Sequence, residues 1–124
     1  LKLLFNLLKG KQPCVVATLS ARVGSIGDNR MGGWHSYRAS KAALNMVLKN
    51  MAIEYGRRAK NVKLIAFHPG TTDTSLSKPF QASVPSDKLF TPTFVASQLA
   101  GIMNNAEVDG QLSYLDWNGE LIVW

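Results

Sequence analysis

The sequence predicts an α/β fold in which a parallel sheet is flanked by helices. Three short, nearly continuous apolar segments, 14–19, 62–67 and 111–115, have the length and composition of strands that are buried on both faces. Two longer segments with apolar residues at helical spacing, 34–55 and 93–105, alternate with them. Because helices and strands alternate along the chain, the strands are expected to be parallel and joined by right-handed crossovers.

Length and composition indicate one ordinary globular domain, residues 1–124. The single cysteine, Cys14, excludes an internal disulfide framework and favours a reducing, cytoplasmic location. No apolar stretch approaches the roughly 18 residues that a membrane helix needs, so no membrane partner is expected. The net charge of +6 comes from scattered basic residues without interleaved aromatics, so no nucleic-acid partner is expected either.

The first third of the chain predicts a helix end, a strand and a long loop. Residues 1–8 have the pattern of the last turns of a helix, with Gly10 as its stop. The strand at 14–19 follows, and residues 20–33 form a loop that contains four glycines. Loops of this length in compact domains are often functional.

The central helix is expected to start at Trp34 or Ser36 and to run to about Tyr55, with Gly56 as its C-cap. Its apolar residues cover more than one stripe, which predicts packing on two sides. The strand at 62–67 then ends at the corner 68–70, because proline cannot continue a strand ladder and glycine permits the turn.

The last part of the chain predicts a covering segment, a helix and a strand. Residues 71–92 are polar and contain three prolines, which is typical of an irregular, mobile cover over a site. A helix at 93–105 and the strand at 111–115 follow. Asn118 and Gly119 then indicate a turn, and an apolar tail ends at Trp124.

Tyr37 and Lys41 lie four residues apart on the central helix and therefore share one face. A phenol releases its proton only near pH ~10, and a nearby ammonium group favours the phenolate. The pair is thus a candidate general acid/base for a carbonyl or an alcohol. The same spacing also occurs on ordinary helix surfaces, so the pair alone does not decide between a catalytic pair and a surface pair without function.

Four motifs, in order, resemble those of the short-chain dehydrogenases/reductases, and within them the small bacterial carbonyl-reductase-like branch. The motifs are Leu19-Ser20-Ala21-Arg22-Val23-Gly24-Ser25-Ile26, Tyr37-Arg38-Ala39-Ser40-Lys41-Ala42-Ala43-Leu44-Asn45, His68-Pro69-Gly70-Thr71-Thr72-Asp73-Thr74 and Asp116-Trp117-Asn118-Gly119 with the closing Trp124. The resemblance implies a Rossmann-like fold and hydride transfer between NAD or NADP and a small carbonyl or alcohol substrate.

The resemblance also assigns catalytic roles. Tyr37 would protonate the carbonyl oxygen, and Lys41 would stabilise the tyrosinate and hold the nicotinamide ribose. The family's catalytic serine is the second serine of a Ser-Ser-x-x-Gly motif, where this chain has Ala21. Ser20 is therefore the expected catalytic serine, and Ser25 is the alternative.

The cofactor residues implied by the resemblance follow the second strand. Pro69, Gly70, Thr72 and Thr74 would line the nicotinamide, with the backbone of Thr72 and the hydroxyl of Thr74 meeting its carboxamide. The carboxyl edge of a parallel sheet is where such folds bind ligands. No group of His, Cys, Asp and Glu has the spacing of metal ligands, so no metal is expected.

The family's Gly-rich phosphate-binding loop has no counterpart in the sequence. The chain is therefore expected to be the C-terminal, catalytic half of such an enzyme, inactive alone, with the last three strands of the doubly wound sheet and an unpaired edge on the first. A homo-oligomer formed through the Tyr-Lys helix is expected. The alternative is a non-catalytic chain that keeps the fold as a dimerisation or interaction module.

Overall fold

Three parallel strands form the centre of the computed structural model, which describes residues 2–124. The strands are β1 (Cys14–Leu19), β2 (Val62–His68), β3 (Thr71–Thr72), β4 (Leu89–Phe90) and β5 (Leu112–Asp116), and the helices are α1 (Phe5–Leu8), α2 (His35–Arg58) and α3 (Pro92–Asn104). The main sheet has the order β1-β2-β5, while β3 and β4 form a separate parallel pair. The predicted α/β fold with a parallel sheet is confirmed.

The register places the carboxyl ends of the three main strands at one edge. Leu19 lies opposite Phe67, and His68 lies opposite Asp116. β2 is buried along nearly its whole length, whereas β1 is only half-buried and pairs on one side. Within residues 2–124, β1 is therefore the edge strand that the sequence predicts.

Helices cover both faces of the sheet. On one face, Leu48 and Ala52 of α2 pack against Leu64 and Tyr114. On the other face, Val95 of α3 packs against Ile65 and Phe67 of β2. These two side chains alternate with Leu64 along the strand. Burying a side chain of this size contributes roughly 1.5–3 kcal/mol. The first core fixes α2 against the sheet, and with it the first turns that carry Tyr37, while the second fixes α3.

Three elements differ from the sequence-based expectations. Gly56 lies inside α2, which continues to Arg58, and a Cβ there would come within 3.2 Å of the Gly110 carbonyl oxygen. Its role is thus close packing and not a C-cap. The segment 71–92 is more regular than expected, because it contains β3, β4 and two short 3-10 helices. Over residues 2–8, a 3-10 turn and the four-residue α1 take the place of the last helical turns expected for 1–8, of which Leu1 lies outside the described residues.

The C-terminal tail folds back beside β5. The backbone N–H of Ile122 donates to the Tyr114 carbonyl, and the Ile122 side chain is buried. The Trp124 ring stacks on Tyr114, and its carbonyl accepts a hydrogen bond of 2.7 Å from Gly27. The tail therefore ties the glycine-containing loop to the sheet. No helix among residues 2–124 combines the length and hydropathy that a membrane span requires.

Candidate active site

Tyr37 and Lys41 lie together in the first turns of α2, beside the carboxyl end of β1. Lys41 Nζ donates to the Leu19 carbonyl oxygen at 3.2 Å and lies 5.9 Å from the centroid of the Tyr37 ring. Tyr37 as a whole is 43% exposed. The ammonium group therefore lies near the ring of the predicted proton donor, and the exposed ring leaves the hydroxyl accessible to a reacting molecule. The arrangement can exchange a proton with a carbonyl or alcohol oxygen.

Gly24 brings the loop after β1 against the helix at Lys41. A Cβ on Gly24 would lie 2.9 Å from both the carbonyl carbon and the Cβ of Lys41. Real Cβ atoms do not approach backbone this closely, so only glycine fits without a shift of the helix. This contact sets the position of the lysine relative to the carboxyl end of β1.

Each of the two candidate serines has a hydrogen-bond partner other than Tyr37. The buried Ser20 hydroxyl donates to Asn45 Oδ1 at 2.6 Å. Asn45 follows Tyr37 by eight residues, which is about 12 Å along the helix axis. The Ser25 oxygen accepts a hydrogen bond from the Asp28 backbone N–H. The catalytic role of Ser20 therefore stays a prediction, and it would require this hydroxyl to leave Asn45.

Ala21 occupies the position where the family pattern has its second serine. Its side chain is buried, and its carbonyl oxygen accepts a hydrogen bond of 2.5 Å from the Tyr114 hydroxyl. Burial raises the pKa of Tyr114, an effect that the neighbouring Asn45 amide partly offsets. The backbone after β1 is thus fixed by a buried network that joins the loop, α2 and β5. The Leu19-to-Gly24 motif did not reveal this network, because Tyr114 is distant in sequence.

The Pro69–Gly70 corner follows β2 at the same sheet edge as Lys41. Gly70 has φ +71°, and a Cβ there would lie 2.6 Å from the Phe90 ring. The corner leads into β3, where the Thr72 carbonyl accepts a hydrogen bond of 2.5 Å from Ser77 Oγ. Glycine is therefore required both by the turn and by the aromatic ring above it.

Thr72 leaves one buried polar atom unsatisfied. Its Oγ1 has no hydrogen-bond partner among the described residues, although such atoms are normally paired. Thr74 is exposed, and its backbone N–H and carbonyl both contact Ser77 Oγ. The unsatisfied Thr72 hydroxyl suits an amide-bearing group such as a nicotinamide carboxamide. The predicted contacts of the Thr72 backbone and the Thr74 hydroxyl with that group stay predictions, and the Thr72 carbonyl is already bound to Ser77. Within residues 2–124, no cluster of three His, Cys, Asp or Glu side chains is placed to hold a metal ion.

Trp34, which precedes α2, links the two halves of the site. Its ring lies 6.0 Å from that of Tyr37 and 5.1 Å from that of Phe80, in the segment after the corner. The Trp34 backbone is left-handed, with φ 53° and ψ 40°, a strain of about 1–3 kcal/mol for a residue other than glycine. In the sequence, the two glycines before Trp34, Gly32 and Gly33, were the indication of a left-handed turn here, since both also have positive φ.

His68 lies between the corner and the loop. Burial lowers its pKa to about 4, and the charge of Arg22 acts in the same direction, against the opposing effect of Asp116. Arg22 Nη2 donates to Asp116 Oδ2 at 2.8 Å, so the two charges are paired beside the imidazole. The lowered pKa favours a neutral imidazole at physiological pH, and its buried Nδ1 has no hydrogen-bond partner among the described residues.

The low pKa of His68 predicts a loss of stability in acid. Because the folded pKa lies below the unfolded value of ~6.5, the stabilising contribution is complete above ~6.5 and is lost as pH falls towards 4. The free energy of unfolding is expected to drop by about 2 kcal/mol between about pH 7.5 and 5 from this group. Urea unfolding of the wild type and of His68→Gln at both pH values measures it. A drop of equal size in the two proteins would contradict the assignment.

Comparison with known proteins decides the family. A model described as short chain dehydrogenase matches residues 2–84, which include β1, the Tyr37–Lys41 pair and the Pro69–Gly70 corner. The chain belongs to the short-chain dehydrogenase family. The resemblance of its motifs to this family is thereby confirmed, as is the Rossmann-type fold.

The relatives of this chain include a dehydrogenase, a protein named C-signal and a carbonyl reductase. It is 36% identical over 111 residues to the 1-hydroxy-2-glutathionyl-2-methyl-3-butene dehydrogenase of Rhodococcus sp. (strain AD45), covering 88% of this chain and 46% of that protein. It is 33% identical over 110 residues to the C-signal of Myxococcus xanthus, covering 88% and 60%. NADPH-bound carbonyl reductase from chicken fatty liver superimposes with a TM-score of 0.73 at 25% identity, covering 89% and 42%. The chain thus spans about half the length of the relatives that it matches.

Proposed function

We propose that the protein containing this chain is an NAD(P)-dependent carbonyl reductase or alcohol dehydrogenase, and that residues 1–124 form its C-terminal, catalytic half. The observation that carries the proposal is the placement of Lys41 between the Leu19 carbonyl and the Tyr37 ring, at the carboxyl edge of the sheet. Relatives named as a dehydrogenase and as an NADPH-bound carbonyl reductase support the reaction class. The cofactor is NAD or NADP.

In the proposed mechanism, the Tyr37 hydroxyl gives its proton to the carbonyl oxygen of the substrate. A nicotinamide cofactor, when bound, would supply the hydride. Lys41 would stabilise the phenolate that remains and would hold a ribose hydroxyl of the cofactor. Pro69 and Gly70 shape the corner, and Thr72 and Thr74 would hold the nicotinamide carboxamide. Alcohol oxidation uses the same groups in reverse, with Tyr37 as the base.

The test uses the protein expressed from its complete reading frame. NADH and NADPH are mixed with it separately, and binding is followed by nicotinamide fluorescence. Small aldehydes and ketones are then added, and cofactor oxidation is followed by absorbance. Saturable binding of one dinucleotide and carbonyl-dependent oxidation are expected. Failure to bind either dinucleotide would overturn the proposal.

A second role, association between copies through α2, is favoured by the apolar side chains that this helix exposes. Met46, Val47 and Ile53 are respectively 62%, 54% and 42% exposed. A second copy of the helix would bury this surface. Burial of apolar area stabilises such an association by about 25 cal/mol for each Å². The role is compatible with catalysis and would also serve a non-catalytic interaction module.

The change Val47→Lys is expected to convert a dimer to monomers, because it would place a charge in the proposed contact. Sedimentation velocity of the complete protein measures the change in mass. Ala100→Lys, on the exposed face of α3, is the matched control and should leave the mass unchanged. A Val47→Lys protein with the wild-type mass would exclude this face as the interface.

A further inference from the structure

Three aromatic rings lie in series beside the proton donor. The Trp34 ring lies between those of Tyr37 and Phe80, at centroid distances of 6.0 and 5.1 Å. All three are substantially exposed, with Trp34 and Phe80 at 54% and 53%. We call the rings of Trp34 and Phe80 the aromatic wall. Because aromatic rings are usually buried or occupied at interfaces, an exposed pair next to a reactive phenol calls for an explanation.

Trp34 is held by its backbone and not by burial. The Trp34 carbonyl accepts the first hydrogen bond of α2 from Arg38 N at 2.8 Å, and Arg38 Nε donates to the Gly33 carbonyl at 3.0 Å. The Gly32 N–H is in turn bound to Asn29 Oδ1. A glycine would adopt the left-handed conformation of residue 34 without strain. A large ring is therefore kept at a position where the backbone disfavours it, which is typical of a functional position.

Phe80 is fixed relative to the cofactor corner. It lies in the 3-10 helix Lys78–Ser83, one residue before Gln81. Gln81 Nε2 donates to Asp73 Oδ1 and to Ser77 Oγ, both at 2.9 Å. Ser77 Oγ in turn donates to the Thr72 carbonyl. The aromatic wall thus bridges the Tyr37 end of the site and the segment that would hold the nicotinamide.

We propose that the aromatic wall selects carbonyl substrates that bear an aromatic ring. The ring of an aryl ketone or aryl aldehyde packs on Trp34 and Phe80 while its carbonyl oxygen meets the Tyr37 hydroxyl. Tilted and offset contacts between rings stabilise beyond the apolar area that they bury, so an aryl substrate gains more here than an aliphatic one of equal size. The proposal rests on the proposed carbonyl-reducing function and assigns its substrate class.

The test compares kcat/KM for an aryl ketone and for a branched aliphatic ketone of similar volume, in the protein expressed from its complete reading frame. Trp34→Gly removes the ring while keeping a residue that adopts φ 53° freely. The ratio of the two kcat/KM values is expected to fall roughly tenfold, in favour of the aliphatic ketone. Phe80→Leu should lower the ratio by a smaller factor, and Trp34→Phe should restore part of it.

Phe5→Leu is the matched control, since Phe5 packs on Tyr55 at the far end of α2 and should leave the ratio unchanged. If Trp34→Gly and Phe80→Leu each lowered kcat/KM by the same factor for both ketones, the aromatic wall would not select aryl substrates. The wild type would still reduce carbonyls, so that result would leave the proposed function intact. Titration calorimetry of the aryl ketone into the cofactor-loaded Tyr37→Phe protein measures the affinity for the ketone in the absence of turnover. Its affinity should weaken on adding Trp34→Gly, and an unchanged affinity would contradict the proposal.

Discussion

Tyr37→Phe is expected to lower kcat by a factor of roughly 10²–10⁴, the usual contribution of a positioned general acid. The change removes one hydroxyl from an exposed ring, so the ring contact with Trp34 and the fold are both retained. The affinity for the dinucleotide should stay within about twofold, because Lys41 and the Gly70 corner are untouched. Steady-state kinetics of carbonyl reduction and fluorescence titration of NADH or NADPH measure the two quantities.

Tyr55→Phe provides the control on the same helix. Tyr55 lies eighteen residues beyond Tyr37, about 27 Å along the axis, and its ring packs in the core. Removing its hydroxyl affects stability and not the proton transfer. If Tyr37→Phe kept wild-type kcat, or if both variants lost kcat equally, Tyr37 would not be the proton donor.

The main sheet and its helices could be predicted because each follows from a local pattern. The run Val62–His68 is apolar enough to be buried on both faces, and α2 has helical spacing over most of its length. By contrast, β3 and β4 contain two residues each and exist through their pairing with one another. The two strands lie far apart in the sequence, so no local pattern could predict their pairing. The role of Gly56 was missed for the same reason, since its contact is with Gly110.

The geometry of the candidate site could be predicted to the extent that its residues share one helix or one turn. Tyr37 and Lys41 meet because four residues make about one turn, and the Pro69–Gly70 corner is readable as a strand end. The side chain of Ser20 was not predictable, because its acceptor, Asn45, lies on another element. A motif indicates which residues are close to the candidate site. The partner to which a side-chain hydroxyl donates depends instead on packing between elements that are distant in sequence.

The same long-range packing makes Gly24 a sensitive position. Gly24→Ala places a methyl group 2.9 Å from the backbone and Cβ of Lys41, where no flexible side-chain end can yield. Overpacking of this kind costs about 1–3 kcal/mol, and the strain is relieved by moving the loop or the first turns of α2. Either movement displaces the lysine from the Leu19 carbonyl. We therefore expect a lower free energy of unfolding together with a fall in kcat of about tenfold or more.

Gly101→Ala separates this steric effect from the general effect of replacing a glycine. Gly101 lies inside α3, and a Cβ there meets nothing within 4 Å. Alanine in a helix interior is favoured over glycine by roughly 0.8–1.0 kcal/mol, so this variant should unfold at higher urea concentration with unchanged kcat. Opposite signs of the stability change for the two substitutions, measured by urea unfolding, are the expected result. If Gly24→Ala were neutral in both stability and kcat, the contact between the loop and Lys41 would not be what positions the ammonium group.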